Sequence, residues 1–103
     1  MADFERAITA SDLPPGEVTK ADVGGRQIAI ANVDGSFYAI DDLCPHAGGS
    51  LGDGHLSDGC VACPLHYWEF DVRSGEFIDD PTTKVATHET KVEGDDVLVK
   101  LTD

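Results

Sequence analysis

The stretch from Cys44 to Trp68, CPHAGGSLGDGHLSDGCVACPLHYW, holds all three cysteines of the chain and three of its four histidines. Two short patterns within it are alike: C-P-H at 44–46 and C-P-L-H at 63–66, with sixteen residues between them. Proline fixes φ near about −65° and removes an N–H, so each cysteine enters a rigid turn that points Cys and His to the same side. The two turns together predict a site with four ligands.

Two thiolates and two imidazoles can bind zinc in a closed tetrahedral site, or bridge the two irons of a [2Fe-2S] cluster. Gly48 and Gly49 follow the first histidine. Backbone without side chains can approach inorganic sulfide closely and turn N–H groups toward it. Zinc carries no bridging sulfide to accept such bonds, so the glycines favour the cluster, with a zinc-stapled module as the alternative.

The segments before this stretch predict strands. They are EVTKADV (17–23), RQIAIANV (26–33) and SFYAIDD (36–42), separated by Gly24-Gly25 and Asp34-Gly35. Both dipeptides are strong signals for two-residue hairpins. We therefore expect a β-meander.

The segments after it continue the pattern. WEFDV (68–72) meets GEFID (75–79) across Arg73-Ser74, and VATHETKVE (85–93) meets DVLVKL (96–101) across Gly94-Asp95. No 3.6-residue periodicity is sustained, and only ASDLPPG (10–16) suggests a short turn of helix. The sequence predicts an all-β fold, a sandwich or barrel of short antiparallel strands.

Composition narrows the function. With 20 acidic and 7 basic residues in 103, the formal charge is −13, which disfavours nucleic acid and anionic membranes and favours partners with basic docking faces. The N-terminus lacks a basic, then apolar, leader pattern, and no apolar stretch approaches the ~20 residues of a membrane span. Three clustered cysteines do not resemble a disulfide framework, so we expect a single domain in the reducing cytoplasm.

The spacing C-x-H, sixteen residues, C-x-x-H resembles the Rieske iron-sulfur motif. The likeness extends over most of the chain and includes L-x-D-G-x-V-x-C-P-x-H at 56–66, the following W-E-F-D, and Pro81, where the family has a cluster-covering proline loop. In size and in lacking a membrane anchor, the chain is similar to the small Rieske-type ferredoxins of multicomponent bacterial oxygenases.

The resemblance implies one Rieske domain over residues 1–103, an antiparallel β-sandwich carrying a cluster-binding subdomain of two loops at about residues 42–82. One [2Fe-2S] cluster is expected per chain, with Cys44 and Cys63 on one iron and His46 and His66 on the other.

The expected function is a one-electron carrier, a monomer that passes electrons from an NAD(P)H-dependent flavin reductase to a terminal Rieske oxygenase of the ring-hydroxylating dioxygenase type. The alternative within the same family is the small subunit of an assimilatory nitrite reductase.

Departures from the high-potential members predict a low potential. Gly49 and Leu65 stand where Rieske proteins of cytochrome bc complexes have disulfide cysteines, and Trp68 and Phe70 stand where those proteins have hydroxyl donors to the cluster. Each lost charge-assisted bond, about 1.5–3 kcal/mol, corresponds to roughly 65–130 mV for a one-electron couple. We expect a midpoint near about −150 mV.

The remaining cysteine and histidines are predicted bystanders. If 59–63 is a strand, Cys60 and Cys63 point to opposite faces, so Cys60 is expected to be a buried structural thiol. His55 lies in a polar loop and His88 in a polar strand, so both are expected to be exposed. Trp68 and Phe70 are expected to be core aromatics, whereas the role of Tyr67, where many relatives have glycine, stays open.

The number of histidines argues against an oxygenase. A mononuclear oxygenase iron needs two histidines and a carboxylate, and only His55 and His88 remain outside the predicted cluster ligands. The chain is therefore predicted to be a carrier without catalytic residues. Four acidic residues near the ligands are predicted to steer docking: Asp41, Asp42, Asp53 and Asp58.

Overall fold

A computed structural model of the chain describes residues 4–44, 48–65 and 67–101. Eleven strands and two short 3₁₀ turns, at Ala10–Asp12 and Leu51–Asp53, occur in these ranges. The strands are β1 Glu5–Thr9, β2 Val18–Val23, β3 Arg26–Val33, β4 Ser36–Asp41, β5 His55–Ser57, β6 Cys60–Ala62, β7 Glu69–Asp71, β8 Glu76–Phe77, β9 Asp80–Lys84, β10 Thr87–Glu93 and β11 Asp96–Lys100.

The strands form two antiparallel sheets. The basal sheet has the order β1-β11-β10-β4-β3-β2, and the loop sheet, built from residues 55–84, has the order β5-β6-β7-β8-β9. The all-β prediction is thus confirmed. The loop sheet is formed entirely by chain that leaves the basal sheet after β4 and returns to it at β10.

The predicted hairpin turns of the basal sheet are confirmed. Val23 pairs with Arg26 across Gly24-Gly25, and Val33 pairs with Ser36 across Asp34-Gly35. All four turn residues have positive φ, between 53° and 93°. Such turns match the twist of the flanking strands, which is why the two dipeptides were informative.

Three strands were not predicted. β1 has no turn signal beside it, and the strand with which it pairs, β11, lies at the other end of the chain. β5 pairs with β6, and β9 pairs with β8 at the edge of the loop sheet. Pro81, predicted in a loop, lies exposed in β9, and an edge strand tolerates proline because one side of it makes no ladder bonds.

The core has two parts, and β3 contributes to both. Ile28 and Ile30 pack with Val97 and Val99 of β11 inside the curled basal sheet. The alternate residues of β3, including Ala29, face the loop sheet. This second part of the core contains Ala29, Ala31, Ile40, Cys44, Leu51, Val61, Cys63, Phe70, Val72, Phe77 and Val85.

Within the described ranges, the chain forms no helix of the length and apolarity that crossing a bilayer would require.

Candidate metal centre

The first cysteine loop leaves the end of β4 and returns to it through a narrow neck. Leu43 forms an isolated antiparallel bridge with Ser50. The Cys44 N–H donates to the Gly49 carbonyl at 2.9 Å, and the Gly48 N–H donates to the Cys44 carbonyl at 2.9 Å. The Cys44 side chain is buried at the base of this loop.

The second cysteine loop follows β6 and is closed in the same manner. The Cys63 N–H donates to the Trp68 carbonyl at 2.8 Å, and the Tyr67 N–H donates to the Cys63 carbonyl at 2.7 Å. Tyr67 adopts a φ of 60°, in the left-handed region that favours glycine. The chain therefore accepts backbone strain to present a tyrosine at this position.

The two loops touch at Gly49. A Cβ added to this glycine would lie 3.0 Å from the Cys63 Sγ and 3.0 Å from the Leu65 Cγ. The first loop therefore lies directly against the second thiol, and a side chain at residue 49 would press on it. Cys44 and Cys63 are both buried, belong to the same core cluster and form no disulfide.

This arrangement fits the thiolate half of an iron-sulfur site, because two unbridged, buried thiols on touching loops are soft ligands of the kind that Fe–S clusters and zinc select. The other two predicted ligands, His46 and His66, lie outside the described residues. Within the described ranges, no three or more His, Cys, Asp or Glu side chains gather as a metal site.

Cys60 differs from the other two thiols. It begins β6, pairs with Asp71 of β7 and is partly exposed, so the prediction of a buried thiol was wrong. Partial burial, and then the charges of Asp71 and Glu69, raise the pKa of the Cys60 thiol. A thiol held protonated in this way is a poor metal ligand and a poor nucleophile.

His88 also differs from its prediction. It was expected to be exposed, but it is only 7% accessible, and its Nε2 lies 2.8 Å from the Asp41 Oδ1. Arg26 Nη2 donates to the same oxygen at 2.8 Å. His88 pairs with Ala39 of β4, and this pairing places its imidazole in the basal sheet beside the Asp41 carboxylate. His55, by contrast, is exposed as predicted.

The four predicted docking acids divide into two kinds. Asp41 holds His88 and Arg26, and Asp42 is only 6% exposed, so neither is the free surface charge that was expected. Asp53 and Asp58 are exposed, the former paired with Lys20 at 3.3 Å. Sequence position alone could not separate them, because adjacent acidic residues at a strand end can point in opposite directions.

An aromatic group backs the second loop. The Trp68 and Phe77 rings stack with centroids 4.0 Å apart and planes 2° from parallel, and Phe70 packs against Phe77 at 5.5 Å. Phe70 is fully buried, as predicted, whereas Trp68 is only partly buried.

Three large apolar side chains on the two loops are exposed: Leu43 by 65%, Leu65 by 54% and Tyr67 by 74%. We call them the loop-tip residues. They flank both cysteines in sequence. An apolar group of this kind on a strongly acidic protein marks a surface that a partner can cover.

Comparison with known proteins agrees with this geometry. The model of the Rieske [2Fe-2S] domain family matches residues 4–98. The chain is 42% identical over 94 residues to the ferredoxin component of biphenyl 2,3-dioxygenase from Rhodococcus jostii (strain RHA1), covering 90% of this chain and 88% of that protein. It is 38% identical over 96 residues to the ferredoxin component of the naphthalene 1,2-dioxygenase/salicylate 5-hydroxylase systems of Ralstonia sp, covering 92% of each.

Solved structures show the same likeness. The ferredoxin of carbazole 1,9a-dioxygenase from Nocardioides aromaticivorans IC177 superposes with a TM-score of 0.84 at 33% identity, covering 93% of this chain and 95% of that one. A complex of reduced oxygenase and oxidised ferredoxin in carbazole 1,9a-dioxygenase contains a chain that matches with a TM-score of 0.84 at 30% identity, covering 94% and 92%.

A structure from Mycobacterium tuberculosis, assigned to the small subunit of an NADH-dependent nitrite reductase, matches over 100% of this chain and 98% of that one with a TM-score of 0.90, but at 22% identity it shows the fold alone.

The chain belongs to the Rieske [2Fe-2S] domain family. Its cofactor is one [2Fe-2S] cluster, and it is of the ferredoxin type, which carries electrons and is not itself a catalyst.

Proposed function

We propose that this chain is a cytoplasmic ferredoxin that carries single electrons from an NAD(P)H-dependent flavin reductase to the terminal oxygenase of a ring-hydroxylating dioxygenase system. Cys44 and Cys63 bind one iron of its cluster, and His46 and His66 bind the other. The cluster supplies a one-electron couple with a potential near about −150 mV, above that of all-cysteine plant-type clusters and below that of respiratory Rieske centres.

One observation carries the ligand assignment: two buried, unbridged thiols on separate loops that touch at Gly49. Two touching loops that each carry one buried thiol fit a cluster bound by both loops, and a histidine follows each thiol closely in the sequence, at residues 46 and 66. The backbone hydrogen bonds that close each loop fix the positions of the two thiols, as a preorganised ligand site requires.

The surroundings of the thiols suit an electron carrier. Phe70, Phe77 and Leu51 belong to the core cluster that contains both cysteines, so the inner side of the site is dry. The outer side carries the loop-tip residues Leu43, Leu65 and Tyr67. An electron therefore has a short exit on the outer side, and a partner that covers the loop-tip residues excludes water from that route.

The partner surface that fits is apolar at its centre and basic around it. The loop-tip residues supply the apolar contact, and exposed Asp53 and Asp58 add to the negative field of a chain with a net charge of −13. Charge complementarity of this kind raises the association rate and orients the encounter, while the apolar centre sets the lifetime of the complex.

The test is a reconstituted electron-transfer chain. Cluster-loaded protein is mixed with the NADH-fed flavin reductase and the oxygenase of a biphenyl 2,3-dioxygenase system, and reduction and reoxidation are followed by stopped-flow absorbance. We expect NADH-dependent reduction and reoxidation by the oxygenase. Tyr67→Ala and Leu65→Ala should slow reoxidation, whereas Val92→Ala should not, since Val92 is a similarly exposed apolar residue near the turn of the β10–β11 hairpin.

A cluster-loaded protein that the reductase does not reduce would overturn the proposed carrier role. Equal effects of Val92→Ala and Tyr67→Ala would overturn the docking surface while leaving the carrier role intact.

A further inference from the structure

The neck of the first cysteine loop is held by a buried carboxylate that is not one of the proposed ligands. Asp42 lies two residues before Cys44 and is 6% exposed. Its Oδ1 accepts a hydrogen bond from the Ser50 Oγ at 2.9 Å and another from the Gly52 N–H at 2.7 Å. One oxygen on the outgoing side of the loop thus binds two donors on the returning side.

The backbone of the same residue makes the neck tighter. The Asp42 carbonyl accepts from the Leu51 N–H at 2.7 Å, and the Asp42 N–H donates to the Gln27 carbonyl of β3 at 3.2 Å. Asp42 therefore joins three parts of the molecule: the basal sheet, the outgoing side of the loop and its returning side. The segment that it closes begins with Cys44 and ends with Gly49, the residue in contact with the second thiol.

The donor at residue 52 is built for this contact. A Cβ on Gly52 would lie 2.5 Å from the Lys20 Cβ, 2.7 Å from the Lys20 N and 2.8 Å from the Asp42 Oδ1. Only glycine brings its N–H this close to the carboxylate without displacing β2. The carboxylate and the glycine are thus matched in one site.

We propose that Asp42 is a positioning residue of the cluster centre: its carboxylate clasps the neck of the first loop, fixing Cys44 and Gly49 against the second loop, and its charge lowers the midpoint potential. This inference rests on Cys44 being a ligand. A negative charge buried two residues from a ligand thiolate disfavours the addition of an electron to the cluster, because little water screens the repulsion. Asp42 therefore both holds the first loop and lowers the midpoint potential of the cluster.

Three variants separate the clasp from the charge. Asp42→Ala removes the acceptor and the charge. Asp42→Asn keeps an oxygen acceptor and removes the charge. Asp53→Asn is the control, because Asp53 is an exposed carboxylate one residue beyond Gly52. Each protein is assembled anaerobically, and the measurements are iron and acid-labile sulfide per chain, the rate of bleaching in the presence of a chelator, and the midpoint potential.

We expect Asp42→Ala to bleach about tenfold faster than the unaltered protein or more, since it loses two hydrogen bonds to a charged acceptor. Asp42→Asn should keep its cluster and show a more positive midpoint than either the unaltered protein or Asp53→Asn. Should Asp42→Ala fail to fold, Ser50→Ala removes one of the two bonds alone and should bleach faster than the unaltered protein.

The inference is overturned if Asp42→Ala, or Ser50→Ala in its place, bleaches at the unaltered rate. It is also overturned if Asp42→Asn bleaches as fast as Asp42→Ala, or if its midpoint does not move. An unaltered protein that binds no cluster would instead remove the ligand assignment itself, so the two failures are distinguishable.

Discussion

Gly49 shows how one residue decides the shape of the centre. The sequence predicted glycine's role here from the need for backbone without a side chain near inorganic sulfide. The structure adds a second reason, because a side chain at residue 49 would contact the Cys63 Sγ and Leu65. That reason depends on how two distant segments meet. No local pattern could have revealed it.

Gly49→Ala should therefore impair the centre. The added methyl group lies 3.0 Å from the thiol sulfur and must displace it or Leu65 by a few tenths of an ångström. We expect lower iron and sulfide content per chain and faster bleaching. The double variant Gly49→Ala/Leu65→Ala relieves only one of the two contacts, so a full recovery in it would show that the pressure on the sulfur is unimportant.

Cys60 can be distinguished from the other cysteines by its chemistry. Because burial and the neighbouring carboxylates raise the pKa of its thiol, little thiolate exists at neutral pH. In cluster-loaded protein, alkylation of Cys60 by iodoacetamide should be slow at pH 7, and the midpoint of its pH dependence should lie above that of an unperturbed cysteine thiol measured in the same way. Mass spectrometry of the modified peptide measures this.

Cys60→Ala should leave the visible spectrum unchanged. If this variant bleaches, Cys60 is a ligand and the assignment of Cys63 must be revised.

At the scale of elements, the sequence was most informative where a turn controls the strands. β2, β3, β4, β10 and β11 are joined by glycine-containing turns, and the predicted segments contain all five observed strands. β1 was missed because its pairing partner, β11, lies far away in the chain. β9 was missed because Pro81 argued against a strand there. His88 was misjudged because its partner, Asp41, lies on another strand.

His88 joins β10 to β4 through Asp41, and its loss should weaken the basal sheet. His88→Ala leaves the Asp41 carboxylate with one fewer partner and opens a space in the sheet, so we expect a loss of about 1–3 kcal/mol in the free energy of unfolding. His55→Ala is the matched control, since that imidazole is exposed and should change stability by less than about 0.5 kcal/mol. Urea unfolding under anaerobic conditions measures both, and equal effects would contradict the stabilising role of the His88–Asp41 contact.

At the scale of the whole molecule, the net charge matters for partner binding as much as the fold does. A net charge of −13 on 103 residues produces a negative field that extends well beyond the loops. Composition alone predicted this field, but not which acids are free to act on a partner. Asp41 is paired with Arg26 and His88 and Asp42 is buried, whereas Asp53 and Asp58 are exposed.

Electron transfer to a basic partner should slow as salt is added. The Debye length falls to about 8 Å at 0.15 M ionic strength, so long-range steering is lost. We expect the second-order rate constant for reoxidation by the oxygenase to fall between low salt and 0.5 M. A rate constant that stays flat over this range would reduce the acidic surface to a role in solubility.

The midpoint potential as a function of pH tests the central claim most directly, because the proposed ligation by two cysteines and two histidines predicts a particular dependence on pH. If His46 and His66 bind iron through one ring nitrogen, as proposed, the metal would acidify the proton on the other nitrogen, and reduction would make that proton bind more tightly again. The account predicts a midpoint near about −150 mV that is almost constant around pH 7, and then falls in alkaline solution by up to about 59 mV per pH unit for each coupled proton. A midpoint near about −400 mV that is independent of pH would contradict histidine ligation, and one near about +300 mV would contradict the assignment to the low-potential, ferredoxin type.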